Sequence, residues 1–183
     1  MLQRAYRKDK ETPGTVIAFD PSLCAWGWVV MQGNTIVDSG CIKTGSENKV
    51  RRIRKGDDRI RRVNEINQII ISLFQKYNVQ HILTEQPHGS QNASAAVMIG
   101  MCTGIIQAFS DAFHISVEWF TEGDSKQALL GKRSAGKDET IRAISSHFKV
   151  KWTGKKYIDE AVADALSVYF CAQKTSDFLK FFQ

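Results

Sequence analysis

The sequence predicts an α/β sandwich around a mixed five-stranded sheet. Three observations carry that expectation. Strand-like runs come first, at residues 15–19, 26–31 and 35–42, with little more than turns between them. Strand and helix patterns then alternate. The last helical run is apolar nearly all round, as a helix buried in a layer of its own must be.

Taken in order, Thr15-Val16-Ile17-Ala18-Phe19 is short, apolar and β-branched, and it ends on Asp20, after which Pro21 and Ser22 turn the chain. The second run carries Trp26, Gly27, Trp28, Val29 and Val30, and Gln32-Gly33-Asn34 turns it into the third. Residues 43–56 read as a polar, basic loop. From residue 59 to 77, Ile60, Val63, Ile66, Ile69 or Ile70, and Leu73 recur at helical spacing, an amphipathic helix with a basic first half. A fourth strand, 79–84, finishes on Glu85, and residues 86–91 form a loop containing His88. The helix expected over 93–113 is capped by Asn92 or Ser90 and bears Ala96, Gly100 and Gly104 at steps of four. Such a stripe lets a neighbour approach closely, in the core or at a subunit contact. A fifth strand spans 115–120, followed by a short turn near 125–130 and helices over 137–148 and 157–173.

One domain over residues 15–183 is expected, preceded by a basic tail over 1–14. Four cysteines lie far apart with no Cys-x-x-Cys pair, which argues for reduced thiols in a cytoplasmic setting and against a zinc knuckle. No apolar run reads as long and uninterrupted enough to span a membrane, and no secretory signal leads the chain. The formal net charge is +6. Residues 49–62 alone carry eight basic side chains (Lys49, Arg51, Arg52, Arg54, Lys55, Arg59, Arg61 and Arg62) against Asp57 and Asp58, which equals the whole excess. Such density favours a polyanion as partner, DNA or RNA.

The acids define the chemistry. Asp20 and Glu85 end strands, where loops gather. Asp164 sits mid-run in the apolar last helix, where an unpaired carboxylate is costly. Glu160 lies one turn earlier on the same face, so the pair wants a shared proton or a metal. Hard oxygen ligands from separate elements, without a His/Cys cluster, suit Mg²⁺ or Mn²⁺, and two such ions can act on a phosphodiester.

Phe19-Asp20-Pro21-Ser22 with Gly27, then Thr84-Glu85-Gln86 with Asn92-Ala93 and Gly100/Gly104, then Ala163-Asp164-Ala165-Leu166 resemble, in order, the motifs of RuvC-type Holliday-junction resolvases. The resemblance runs from about residue 15 to 173. It implies an RNase H-like fold, a homodimer, divalent-metal chemistry and paired nicks across a four-way DNA junction. Lys126 and Lys137 fall where the family places basic residues near the cleaved phosphate. Two positions depart from the pattern. His88 stands where cellular bacterial members present an aromatic wedge, and Ala161 stands three residues before Asp164, where an acid or His is usual. In this the chain resembles phage or organellar branched-DNA nucleases, which sets it in a phage-infected or bacterial cytoplasm, with an organelle as the alternative.

Helical geometry selects the fourth acid. At about 100° per residue a step of four leaves Glu160 roughly 40° from Asp164, whereas Asp159 is about 140° away and better placed to cap the helix. The expected ligand set is therefore Asp20, Glu85, Glu160 and Asp164, with Lys137 catalytic. Arg51, Arg52, Arg54, Lys55, His88, Lys126, Lys132 and Arg133 are the expected DNA contacts. Residues 131–137 nearly spell a phosphate-binding P-loop, but Asp138 replaces the Ser/Thr that would hold Mg²⁺ and no strand precedes it. An RNase H-like nuclease acting on other branched DNA or RNA–DNA hybrids, and a non-catalytic nucleic-acid-binding module, are the competing classes.

Overall fold

The computed structural model describes residues 14–180. Twelve elements follow in order. They are β1 (Thr15–Asp20), β2 (Ala25–Gln32), β3 (Thr35–Lys43), α1 (Asn48–Arg51), α2 (Lys55–Tyr77) and β4 (His81–Gln86), then α3 (Ala93–Phe113), β5 (Ser116–Thr121), α4 (Glu122–Leu130), α5 (Lys137–His147), α6 (Lys156–Thr175) and α7 (Asp177–Lys180). The tail expected over residues 1–14 lies, apart from Gly14, outside the described residues.

The expected five-stranded mixed sheet is present, in the order β3-β2-β1-β4-β5. β1, β2 and β3 form an antiparallel meander, while β4 and β5 run parallel to β1. Strand alternation splits the core into two layers. On one face Ile17, Phe19, Val30 and Ile82 meet Ile66, Ile70 and Phe74 of α2 and Cys102, Ile106 and Phe109 of α3. On the other, Val16, Ala18, Val29, Met31 and Leu83 meet α6, with Leu129 of α4, Ile144 of α5 and Leu179 of α7 around it. α6 is buried from Ala161 to Ala172 without a break, as its all-round apolar composition requires.

Several boundaries differ from the sequence pattern. α2 starts at Lys55, because Asp57 and Asp58 suit a helix's positive N-terminal end although the apolar period begins only at Ile60. The segment read as loop also holds the one-turn helix α1. The fourth strand begins at His81, which lies beside Val16 at the start of the β1–β4 register, while the Gln80 N–H just before it bonds the Thr15 carbonyl. The turn expected near 125–130 is a full helix starting at Glu122, capped by the Thr121 hydroxyl, which accepts from the Asp124 N–H at 3.1 Å. Among the described residues α3 is long and apolar enough to cross a membrane by length and composition. By that measure it departs from the expectation of no such run, since Ser94, Thr103, Gln107, Ser110 and Asp111 interrupt the helix yet leave its mean hydropathy at 1.5. Its inner face carries Cys102, Ile105, Ile106 and Phe109 against the sheet. Ala96, Val97, Gly100, Gly104 and Ala108 lie exposed on the outer face.

Candidate active site

Register brings the acids together. Phe19 lies beside Thr84 in the parallel β1–β4 ladder, so Asp20 and Glu85 are the next residues out on strands about 4.8 Å apart. Both share the parity of Ala18 and Leu83, whose side chains enter the α6 layer, and so both aim at α6. Asp20 pairs across β2 with Gly27. At Gly27 the helix backbone sits directly on the sheet, and a Cβ there would lie 2.1 Å from the Ala161 carbonyl oxygen. Glycine is thus required beside Asp20, and the close approach seats Asp164, one turn beyond Ala161, over the two strand ends. Asp164 is buried, at 7% exposure.

The electrostatics agree with this convergence. Burial pushes the Asp20 carboxyl well above the usual carboxylate range, and Asp164 and Glu85 push it further. Glu85 is raised to about 7, by burial first and then by Asp164 and Glu122. Asp164 is raised by burial, against the pull of Lys137. The Lys137 ammonium, at the start of α5, donates to Asp164 Oδ2. Burial opposes its charge, but Asp164, Asp20 and Glu85 together raise its pKa. Among the described residues no three His, Cys, Asp or Glu side chains are drawn tightly enough together to grip an ion, and the lysine carries the neutralising charge. The donor set is all carboxylate, from three separate elements and short of positive charge, which fits a hard divalent cation.

Other expected site residues are placed differently. Glu160 is half-buried on α6, and its carboxylate lies 3.8 Å from Lys156 Nζ rather than acting on the three acids. Asp159 is buried and accepts from the Thr153 N–H and hydroxyl and from the Gly154 N–H, the structural role expected of it. His88 is exposed in the loop after β4. Lys126 is buried and donates to Glu122, which this hydrogen bond holds below the usual range. Lys132 pairs with Glu139 at 2.7 Å and Arg133 with Asp124 at 3.0 Å.

The basic stretch is partly committed within the protein. Arg51 pairs with Glu47, and Arg54 is held by Asp57. Arg61 reaches Asp58 and Glu65. Arg62 is buried and donates to the Leu23 carbonyl at 3.0 Å and to Thr44 Oγ1 at 2.8 Å, fixing the loop that follows Asp20. Arg52 and Lys55 remain exposed. Glu122 escaped the sequence reading although it obeys the rule that singled out Asp20 and Glu85. It follows the last residue of a strand, β5, whose Thr121 pairs with Gln86.

The family model for "Crossover junction endodeoxyribonuclease RuvC" matches residues 16–172. The chain belongs to the RuvC family. It is 25% identical to the RuvC crossover junction endodeoxyribonuclease of Orientia tsutsugamushi (strain Ikeda) over 161 residues, 86% of this chain and 93% of that one. The Petrotoga mobilis RuvC is 26% identical over 160 residues, 85% and 91% of the two chains. Among solved structures, Thermus thermophilus RuvC in complex with Holliday junction substrate superposes with a TM-score of 0.67 at 18% identity, covering 88% of this chain and 96% of that one. The yeast mitochondrial Holliday junction resolvase gives 0.62 at 12% identity, covering 96% and 87%. At such identities the structural likeness speaks for the fold, the RNase H-like one expected from the motifs. The RuvC family comprises metal-dependent endodeoxyribonucleases.

Proposed function

We propose that this chain resolves four-way (Holliday) junctions by metal-dependent hydrolysis of two symmetry-related phosphodiesters. The observation that carries the reading is the meeting of Asp20, Glu85 and Asp164 with Lys137 at the strand ends of a RuvC-family fold. Asp20, Glu85 and Asp164 are the proposed ligands of Mg²⁺, or Mn²⁺, with two ions in the working site. Glu160 is the proposed fourth, reached by leaving Lys156. When bound, the metal supplies a Lewis acid for the phosphodiester oxygens and a water acidified enough to attack.

The protein's own groups do the rest. Gly27 and the α6 backbone hold Asp164 over the strand ends, and Arg62 holds the loop after Asp20. Lys137, released from Asp164, offers its ammonium to a phosphate oxygen, and Lys126 of α4, paired with Glu122, adds its charge beside Glu85 and Asp164. His88, beside the site in the exposed loop, takes the place of the aromatic wedge. Arg52 and Lys55 meet phosphates, together with those of Arg51, Arg54, Lys132 and Arg133 that exchange an internal acid for one.

Paired nicks on a two-fold junction require a two-fold dimer, for which the exposed Ala96–Gly100–Gly104 stripe of α3 is the proposed contact. The setting inferred is the cytoplasm. One assay tests the reading. Mg²⁺-dependent cleavage of a synthetic four-way junction is compared with linear duplex, flap and RNA–DNA hybrid. Symmetric nicks in the junction, in excess over the other substrates, are expected. Preference for a hybrid or a flap, or no cleavage at all, overturns it.

A further inference from the structure

The cationic surface singled out in the sequence, residues 49–62, spends much of its charge on internal acids. A second one does not. Between α5 and α6, residues 149–156 read Lys-Val-Lys-Trp-Thr-Gly-Lys-Lys, four lysines without an acid. All four lysines are exposed. Among the described residues Lys149, Lys151 and Lys155 make no ion pair, and Lys156 meets only Glu160, at 3.8 Å.

The segment is built rather than loose. Asp159 clamps Thr153 and Gly154, Gly154 turns the chain at φ +74°, and Trp152 Nε1 donates to Ser145 Oγ at 3.0 Å. Its course is set at both ends. Lys149 lines a hollow with Asn34 and Thr35, at the hairpin end of the edge strand β3. At the other end Lys43, the last residue of β3, lays its ammonium 4.3 Å from the centre of the Tyr157 ring on α6. Lys43 pairs with Ala25, two residues beyond the Gly27–Cys41 pair that adjoins Asp20, so this is the active-site end of the sheet. The lysines therefore run beside β3 for roughly 25 Å, at about 3.3 Å per residue. Asp38, the acid on β3, is turned away, towards Tyr77 and Lys76 of α2.

We propose that this lysine row, from Lys149 through Lys151 and Lys155 to Lys43 and Lys156, is a track for one DNA arm's phosphates leading to the acids. Its length matches about seven base-pair steps of a duplex, at about 3.4 Å per step. Like charges held in line, three of them without an ion pair among the described residues, are stabilised by a polyanion of matching spacing. The exposed Tyr157 ring at the inner end offers a face to a sugar or base. This inference rests on the nuclease reading above.

The test is the salt dependence of binding by the full chain, measured by fluorescence anisotropy on a labelled four-way junction in EDTA. Parent and the triple variant Lys149→Ala/Lys151→Ala/Lys155→Ala are compared. Between about 50 and about 200 mM salt, the slope of log affinity against log salt should shrink by about 0.9 for each phosphate no longer neutralised, close to three units for the triple variant. Affinity should fall at least tenfold, and the corresponding lysine-to-glutamate variant should fall further. Lys76→Ala/Lys174→Ala, whose lysines reach Asp38 and the Ala128 carbonyl, should keep the parental slope. An unchanged slope in the triple variant, or an equal fall in the control pair, overturns the track while junction binding by the parent stands. A parent that shows no salt-dependent junction binding overturns the nuclease reading, and the track with it.

Discussion

Replacing Gly27 with alanine tests how the site is held. The new Cβ would meet the Ala161 carbonyl oxygen at 2.1 Å, its carbon at 2.6 Å and the Ala161 Cβ at 3.0 Å. These atoms belong to the most deeply buried helix and two are backbone, so no flexible side chain can yield. Restoring an ordinary contact requires α6 to lift by about 1 Å, and overpacking of this kind costs about 1–3 kcal/mol. Asp164 lies one turn along the lifted helix. A misplacement of about 1 Å in a catalytic constellation costs about 100-fold in rate. Gly27→Ala is therefore expected to melt several degrees lower, at about 2–4 °C per kcal/mol for a domain of this size. Junction cleavage should fall about 100-fold under single-turnover conditions, with junction binding in EDTA kept. Gly56→Ala, where an added Cβ meets nothing within 4 Å, is the matched control. A Gly27→Ala protein that melts with the parent and cuts within about threefold of its rate would refute the argument that helix seating positions Asp164.

Three further outcomes are expected. Asp164→Asn should abolish cleavage yet bind junctions in EDTA, and normal nicking by it would remove Asp164 from the ligand set. Glu160→Gln should cut Mg²⁺-dependent cleavage by about 100-fold or more, while Asp159→Asn, which weakens the bonds to Thr153 and Gly154, should mainly lower the melting temperature. An active Glu160→Gln beside a dead but folded Asp159→Asn reverses that assignment. In metal-free protein Glu85, raised to about 7 from a free glutamate's 4.5, binds more protons folded than unfolded between those values. Its contribution to unfolding free energy then falls as pH rises through that window and levels off above it, by at most about 3 kcal/mol. Denaturant melts in EDTA should show stability falling from about pH 4.5 to 7, less steeply in Glu85→Gln, and a parental curve that rises with pH contradicts the assignment.

Alternation and placement made much of this legible. Asp20 and Glu85 close apolar strands, and Asp164 interrupts an otherwise apolar helix, so each reads as an exception to its surroundings. What the pattern hid was pairing. Arg54–Asp57 and Arg61–Asp58 stand three residues apart, but each has a residue before 59, where the helix reads as starting; Arg61–Glu65 lies within the expected helix and was open to the four-residue rule. Those arginines therefore counted as free charge. Glu122 was hidden in the same way, because a helix pattern recognised only from residue 125 left it in an unassigned joint. The Gly27–Ala161 approach joins residues 134 positions apart, and local pattern carries no record of it.

The charges at the site lead to a last expectation. Four carboxylates influence one another there, Asp20, Glu85, Asp164 and Glu122, with Lys137 and Lys126 paired among them. With every group ionised the cluster lacks two positive charges. Burial above all, and for Asp20 and Glu85 the neighbouring carboxylates as well, raises the pKa values of Asp20, Glu85 and Asp164, so protons are retained there. One divalent ion supplies the deficit and releases those protons, whereas a second would over-charge the protein alone. The second ion is then expected to arrive with the phosphates of the DNA, whose negative charge restores balance. Titration calorimetry with Mn²⁺ should give one tight site per chain without DNA, with proton release that grows as pH falls from about 7.5 to 6, the range in which Glu85 regains its proton. A second tight site should appear when an uncleaved junction is bound, for example with its scissile phosphates blocked. Two equally tight sites in DNA-free protein, or ion binding without proton release at the lower pH, would show that charge balance does not govern how the site fills.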